Sequence, residues 1–258
     1  MSEHTRSTLL ECRDVSVGYE APVVTDVELR VQRGEILALL GGSGSGKSTL
    51  LRAFTGLLPP LSGEIRLFGK SLYDLPHDER MRLLHRTGTA FQQDALFSGM
   101  TVAENVALPL RELTRLPRAV IREMVEVRLS AVGLAGYGKR APASLSGGQR
   151  KRVALARASI MDPELLFIDE PSAGLDPIVA ATIDETLIGF REALGITMIV
   201  VTHELESIRA IADRAVMLGR GKVIAEGTID ELSQSREDIV YHFFHRVAEG
   251  SPAAPSVR

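Results

Sequence analysis

The sequence predicts an α/β fold: a core with a mainly parallel sheet, an N-terminal antiparallel β subdomain, and a helical subdomain set into the middle of the chain. Three observations carry that expectation. Short apolar runs alternate with helix-period segments over most of the length, which places parallel strands between covering helices. Two strand-like stretches come first, residues 8–17 and 23–31, the second alternating apolar with polar side chains. Between about residues 93 and 160 the pattern turns helical, with periodic segments at 102–113 and 119–132 on either side of the Leu116-Pro117 break.

The elements follow in order. Glu35-Ile-Leu-Ala-Leu-Leu40 is a continuous apolar run closed by glycines, as a buried strand requires. A helix is expected from Lys47 to about Thr55, and Pro59, Pro60 and Gly63 make a turn before a strand at 64–68. Beyond the helical segment, a helix at 147–161 leads into the strand Leu165–Asp169. A helix at 179–194, a strand at 196–202, a short helix and strands at 214–218 and 222–226 complete the pattern. These limits assign residues 8–232 to one domain. Residues 233–258 become a C-terminal helix and a disordered tail ending Ser-Pro-Ala-Ala-Pro-Ser-Val-Arg.

Composition narrows the function. At 258 residues, with 45% hydrophobic and 24% charged side chains, the chain can bury a sizeable core. A net charge of −3 gives no general reason for nucleic acid as a partner. The one basic cluster, Arg150, Lys151, Arg152 and Arg157, falls at helical spacing and reads as a solvated face or a subunit contact. Cys12 stands alone, excludes an internal disulfide, fits a reducing compartment and reads as a small strand residue. Residues 1–10 lack the apolar centre of a signal peptide, and no apolar run approaches the roughly 20 residues that span a bilayer. If the protein drives movement across a membrane, another chain supplies the path.

Gly41, Gly42, Ser43, Gly44, Ser45, Gly46, Lys47 and Ser48 fit G-x-x-x-x-G-K-[ST], between an expected strand and an expected helix that continues through Thr49. The glycines let successive N–H groups turn toward one anion, and the helix N-terminus adds favourable partial charge. Lys47 can reach the terminal phosphates of a bound nucleotide, and Ser48 can offer a hydroxyl to Mg²⁺. The expected core is thus a phosphate-loop NTPase core, with ATP and Mg²⁺ as its cofactors. Leu165-Leu-Phe-Ile-Asp169-Glu170 ends an apolar strand in two carboxylates. Asp169 suits Mg²⁺, and Glu170 suits polarising the attacking water. On a strand the two would point to opposite faces and hold different jobs. His203, following the strand at 196–202, is placed to hydrogen-bond a γ-phosphate.

Leu145-Ser146-Gly147-Gly148-Gln149 opens a second helix with a second anion-binding N-terminus. With this pentapeptide, the sequence resembles the ATP-binding cassette ATPases over about residues 9–230. The resemblance implies two cassettes paired head to tail, with Ser146, Gly147, Gly148 and Gln149 of one copy capping the nucleotide on the other copy's phosphate loop. It further implies that Tyr19 stacks on adenine and that Gln92, in Ala90-Phe-Gln-Gln, senses Mg²⁺ and a transmembrane partner. Ser172-Ala-Gly-Leu-Asp176 becomes the loop crossing the dimer interface, and His203 the switch histidine. One cassette without interposed coiled coils points to a transporter subunit rather than to a DNA-repair ATPase or a translation factor.

Within that family, Phe91-Gln-Gln-Asp-Ala-Leu-Phe and Asn105-Val-Ala-Leu-Pro-Leu-Arg111 are similar to the Mla/Mce-associated phospholipid-transport ATPases. That likeness implies permease subunits in the membrane, MCE-domain and STAS-domain subunits beside them, and a place on the cytoplasmic face of the inner membrane. Two features depart from it: Gln149-Arg-Lys-Arg152 and Ser172-Ala-Gly-Leu are closer to generic importers. An ATPase of an amino-acid or other small-solute importer therefore stands as the alternative.

Overall fold

A computed structural model describes residues 7–91 and 95–245. In chain order the elements are β1 (Thr8–Gly18), β2 (Pro22–Gln32), β3 (Ile36–Gly41), α1 (Lys47–Phe54), β4 (Ser62–Leu67), β5 (Lys70–Ser71), α2 (His77–Leu84) and β6 (Thr87–Ala90). Then come α3 (Val102–Leu113), α4 (Arg118–Ala131), α5 (Gly147–Ser159), β7 (Leu165–Asp169), α6 (Pro177–Leu194), β8 (Thr197–Val201), α7 (Leu205–Ile211), β9 (Arg214–Gly219), β10 (Lys222–Thr228), α8 (Ile229–Ser233) and α9 (Asp238–His245). The described strands form two sheets. One is antiparallel, ordered β2-β1-β4-β5; the other is ordered β10-β9-β3-β8-β7-β6 and is parallel except for β10.

β3 shows why its sequence is apolar without a break. Leu37 and Leu39 face the core shared with β1, β2 and α1, while Ile36 faces the helices α3 to α6, and Ala38 and Leu40 face α7 to α9. Both faces of the parallel sheet are covered, so no position on the strand has a reason to be polar. α1 lies between the two sheets, with Leu50, Leu51, Ala53 and Phe54 buried. The helical subdomain has its own apolar contacts, α3 against α4 and α5 through Val106, Leu110, Val125, Leu129 and Val153. Cys12 is a buried strand residue, and burial pushes its thiol well above the usual cysteine range. Among the described residues no helix is long and apolar enough to cross a membrane. α9 forms where the C-terminal helix is expected; the tail beyond residue 245 lies outside the described residues.

α6 carries one conflict. Its inner face buries Ile183, Leu187 and Phe190, and beside them Asp184, whose Oδ1 has no partner among the described residues. Burial raises the Asp184 carboxyl above its ordinary value, only partly opposed by a hydrogen bond with Ser207. A raised folded-state value means that ionising Asp184 favours the unfolded chain once the pH exceeds the ordinary carboxylate value. Asp184→Asn is therefore expected to raise the melting temperature by about 2 °C at pH 7. Thermal unfolding should show the difference shrinking as the pH falls toward 4.

Candidate active site

The carboxyl ends of β3, β8 and β7 lie side by side, where parallel α/β sheets bind ligands. Leu39 and Asp169 both pair with Val201, so the chain leaves the three strands at one level. The loop from Gly41, the segment with His203 and the turn at Glu170 all start there.

The loop 41–48 is shaped by close packing. Gly46 has φ 100° and caps α1; a Cβ there would lie 2.1 Å from Val24 Cγ2, so glycine is required by both backbone and space. Having no side chain, Gly46 leaves the first-turn N–H groups of α1 without a side-chain acceptor. Gly42, Ser43, Gly44 and Ser48 are exposed around that opening, with Thr49 half-buried behind them. Ser45 turns inward, its N–H bonded to Gly42 O (3.2 Å) and its Oγ buried without a partner among the described residues. Lys47 folds back over the loop, its Nζ donating to Gly41 O (2.7 Å) and Gly42 O (2.9 Å). Burial lowers its proton affinity, while the charges of Glu170 and Asp169 work against that lowering.

Both carboxylates thus lie within electrostatic reach of Lys47. The expectation that strand alternation would send them to opposite faces does not extend to Glu170, because β7 ends at Asp169. Glu170 turns out of the strand with φ 50°. Its N–H donates to Val201 O (2.8 Å), and its Oε1 lies 2.9 Å from His203 Nδ1. Its Oε2 is buried with no partner among the described residues, which leaves that oxygen's lone pairs unused. Burial raises the Asp169 carboxyl, Glu170 adds to the effect, and Lys47, Arg52 and Lys151 oppose it.

The other expected residues are placed as follows. Tyr19, just past β1, is 57% exposed, and its hydroxyl accepts from Arg52 Nη1 on α1, so a flat aromatic face stands at the surface near the loop helix. Ser146 caps α5: its Oγ accepts from Gln149 N–H (3.3 Å), and Gln149 Oε1 accepts from Ser146 N–H (3.1 Å). Gly147 lies against Leu175 and Gly148 against Val179, which seats this helix start on the turn before α6 and on the first turn of α6. Asp176 caps α6, accepting from Ile178 and Val179 N–H. Gln92 lies outside the described residues. A methyl group on Gly148 would come 2.3 Å from Val179 Cγ1. Gly148→Ala is accordingly expected to cost about 2 kcal/mol, lowering the melting temperature by about 4–8 °C in calorimetry.

The basic cluster on α5 differs from its sequence reading. Arg150 donates to Leu145 O, Lys151 to Glu170 O, Arg152 to Val132 O and Arg157 to Ala95 O, at 2.8 to 3.0 Å. These side chains are half-buried braces between segments rather than a solvated face. Helical spacing alone cannot tell a solvent arginine from one that reaches a neighbouring carbonyl. Among the described residues no three His, Cys, Asp or Glu side chains gather around a metal. Mg²⁺ takes most of its ligands from phosphate and water and needs no such cluster. The open N–H groups at Gly46, the folded-back Lys47 and the unpartnered oxygen of Glu170 all fit a nucleoside triphosphate with such an ion.

Residues 24–173 match the ABC transporter family. The chain is 41% identical over 243 residues to the intermembrane phospholipid transport system ATP-binding protein MlaF of Haemophilus influenzae, covering 94% of this chain and 92% of that one. It is 39% identical over 226 residues to the methionine import ATP-binding protein MetN 1 of Acinetobacter baylyi, covering 88% of this chain and 63% of that one. Its fold matches the dimeric post-hydrolysis structure of the ATP-binding cassette MJ0796 bound to ADP and Pi, with TM-score 0.79 and 31% identity over 86% of this chain and 99% of that one. With the family match running through both the phosphate loop and the turn at Glu170, the chain belongs to the ABC transporter family, as one of its ATP-hydrolysing cassettes.

Proposed function

We propose that this cassette powers phospholipid transport by a separate membrane permease, from the cytoplasmic face of the inner membrane. The observation that carries the reading is the 41% identity to an MlaF protein over nearly the full length of both chains. ATP sits on Gly41–Ser48 of one copy and beneath Ser146–Gln149 of a second copy arranged head to tail, with Tyr19 against the adenine. A dimeric relative of the same fold supports the pairing. Ser48 and Asp169 would hold Mg²⁺, together with Gln92 as the family resemblance implies, and the ion would supply charge neutralisation on the phosphates. Glu170 accepts a proton from water as its oxygen bonds the γ-phosphorus and the bond to the bridging oxygen of ADP breaks. Lys47 and His203 stabilise the charge on the transferred group.

The permease is received in the groove between the sheet edge and α3. This groove, of about 590 Å³, is lined by Leu84, Phe91, Phe97, Leu108 and Leu113 among others. Phe91, Phe97 and Leu113 are exposed apolar side chains there and suit an incoming permease helix. Isolation of the tagged chain from membranes tests the reading. Permease subunits together with MCE-domain and STAS-domain proteins are the expected companions. A solute-binding protein for an amino acid in their place would transfer the chain to the small-solute importers.

A further inference from the structure

Glu170 is held at three points. β8 takes its N–H, His203 meets its carboxylate, and the third hold comes from a different part of the molecule: Lys151 Nζ on α5 donates to the Glu170 carbonyl oxygen at 3.0 Å. Among the described residues that carbonyl receives one further, longer bond, from Ala173 N–H at 3.4 Å. Glu170 is a non-glycine residue with φ 50°, a conformation that persists only where its neighbours over-determine it. The peptide after Glu170 sets where the side chain emerges. With the N–H held by β8, a group that fixes the carbonyl fixes the Cα–Cβ direction from which the carboxylate reaches His203.

Lys151 sits on the helix that Ser146 caps and that Gly147 and Gly148 seat against Leu175 and Val179. Lys151 is half-buried and lines a small cavity with Ala90, Leu155, Ile168 and Pro171, and its charge also opposes the raised proton affinity of Asp169. Helix start, lysine and base form one rigid chain of contacts. We propose that Lys151 is a positioning residue for ATP hydrolysis, transmitting the seating of α5 to the main chain of Glu170 and so aiming its carboxylate. This rests on the reading of Glu170 as the general base. When α5 is displaced, the lysine leaves the carbonyl and the base loses its aim, while the phosphate loop is untouched.

The test compares Lys151→Met, which keeps length and removes the donor, with Lys151→Arg, which keeps a cationic donor, and with Glu170→Gln, all in the full-length chain. Turnover, equilibrium ATP binding and melting temperature are measured for each. Lys151→Met is expected to lower kcat about tenfold, the size of effect of losing a charged hydrogen bond, with the ATP dissociation constant unchanged within about twofold. Lys151→Arg should recover most of that loss. Wild-type kcat in Lys151→Met beside an inactive Glu170→Gln overturns the positioning role alone. So does a loss shared between kcat and ATP affinity, or a fall in melting temperature that arginine fails to rescue. Normal turnover in Glu170→Gln overturns the reading of the base instead. Should Lys151→Met yield no folded protein, Lys151→Gln decides on the same terms.

Discussion

Exchanging Glu170 for glutamine is expected to reduce steady-state ATP hydrolysis by at least about a hundredfold, within the range that general-base catalysis contributes. ATP affinity should stay within about twofold of the wild-type value. The argument is one of separable parts. The amide has the shape of the carboxylate and can still meet His203 Nδ1, so the turn that leaves β7 keeps its form. The grip on the phosphates belongs to the loop after β3, which this change does not touch. What disappears is the capacity of the buried Oε2 to take a proton. Phosphate release measures the rate, equilibrium titration measures binding, and gel filtration with ATP should find the variant as a long-lived pair of copies. Turnover at the wild-type rate would remove Glu170 from the chemistry.

Lys47→Ala separates the same functions from the other side. Its ammonium is half-buried and makes two bonds to the loop carbonyls of Gly41 and Gly42. A charged hydrogen bond is worth about 1.5–3 kcal/mol, and about 1.4 kcal/mol is tenfold in affinity. Removing the amine should weaken ATP binding about a hundredfold, with hydrolysis lost as a consequence. The loop also loses the brace across its own backbone, and Glu170 and Asp169 lose the cation that both of them face. Isothermal titration with ATP measures this directly, and unchanged affinity would contradict the role given to the loop. The two variants thus predict opposite patterns, binding without turnover and neither.

Much of the architecture was legible because strand and helix periods were distinct. The run from Glu35 to Leu40 read as a covered strand from its shortness and the glycines that close it, and the segments around Val106 and Val125 kept one apolar face each. Four elements gave no such signal. α2 is His-Asp-Glu-Arg-Met-Arg-Leu-Leu with Leu83 alone buried, too polar a stretch to show a face. β6, Thr-Gly-Thr-Ala, has no apolar run and is a strand only because β7 pairs with it. β5 is two residues long, and α8 is five. At the site, glycine spacing revealed the loop, and the end of an apolar strand revealed Asp169. The departure of Glu170 from that strand was invisible, since nothing in Asp-Glu-Pro-Ser announces a left-handed turn. The reach of Lys151 was equally hidden, because its acceptor is a main-chain atom from a distant segment.

α1 starts in the phosphate loop and ends among the side chains of the antiparallel sheet. Gly46 abuts Val24 of β2, and Leu50 and Phe54 share a core with Val15, Val17 and Val27. A second strut runs from Thr25 N–H to Gly221 O, tying β2 to the turn between β9 and β10. Occupancy of the loop therefore cannot remain a local event. Opening β1 and β2 to solvent strips α1 of its far support, so a ligand that fixes the near end of α1 raises the free energy of that opening as well. Amide hydrogen exchange across the N-terminal sheet becomes a gauge of nucleotide occupancy, read from residues that never touch the nucleotide.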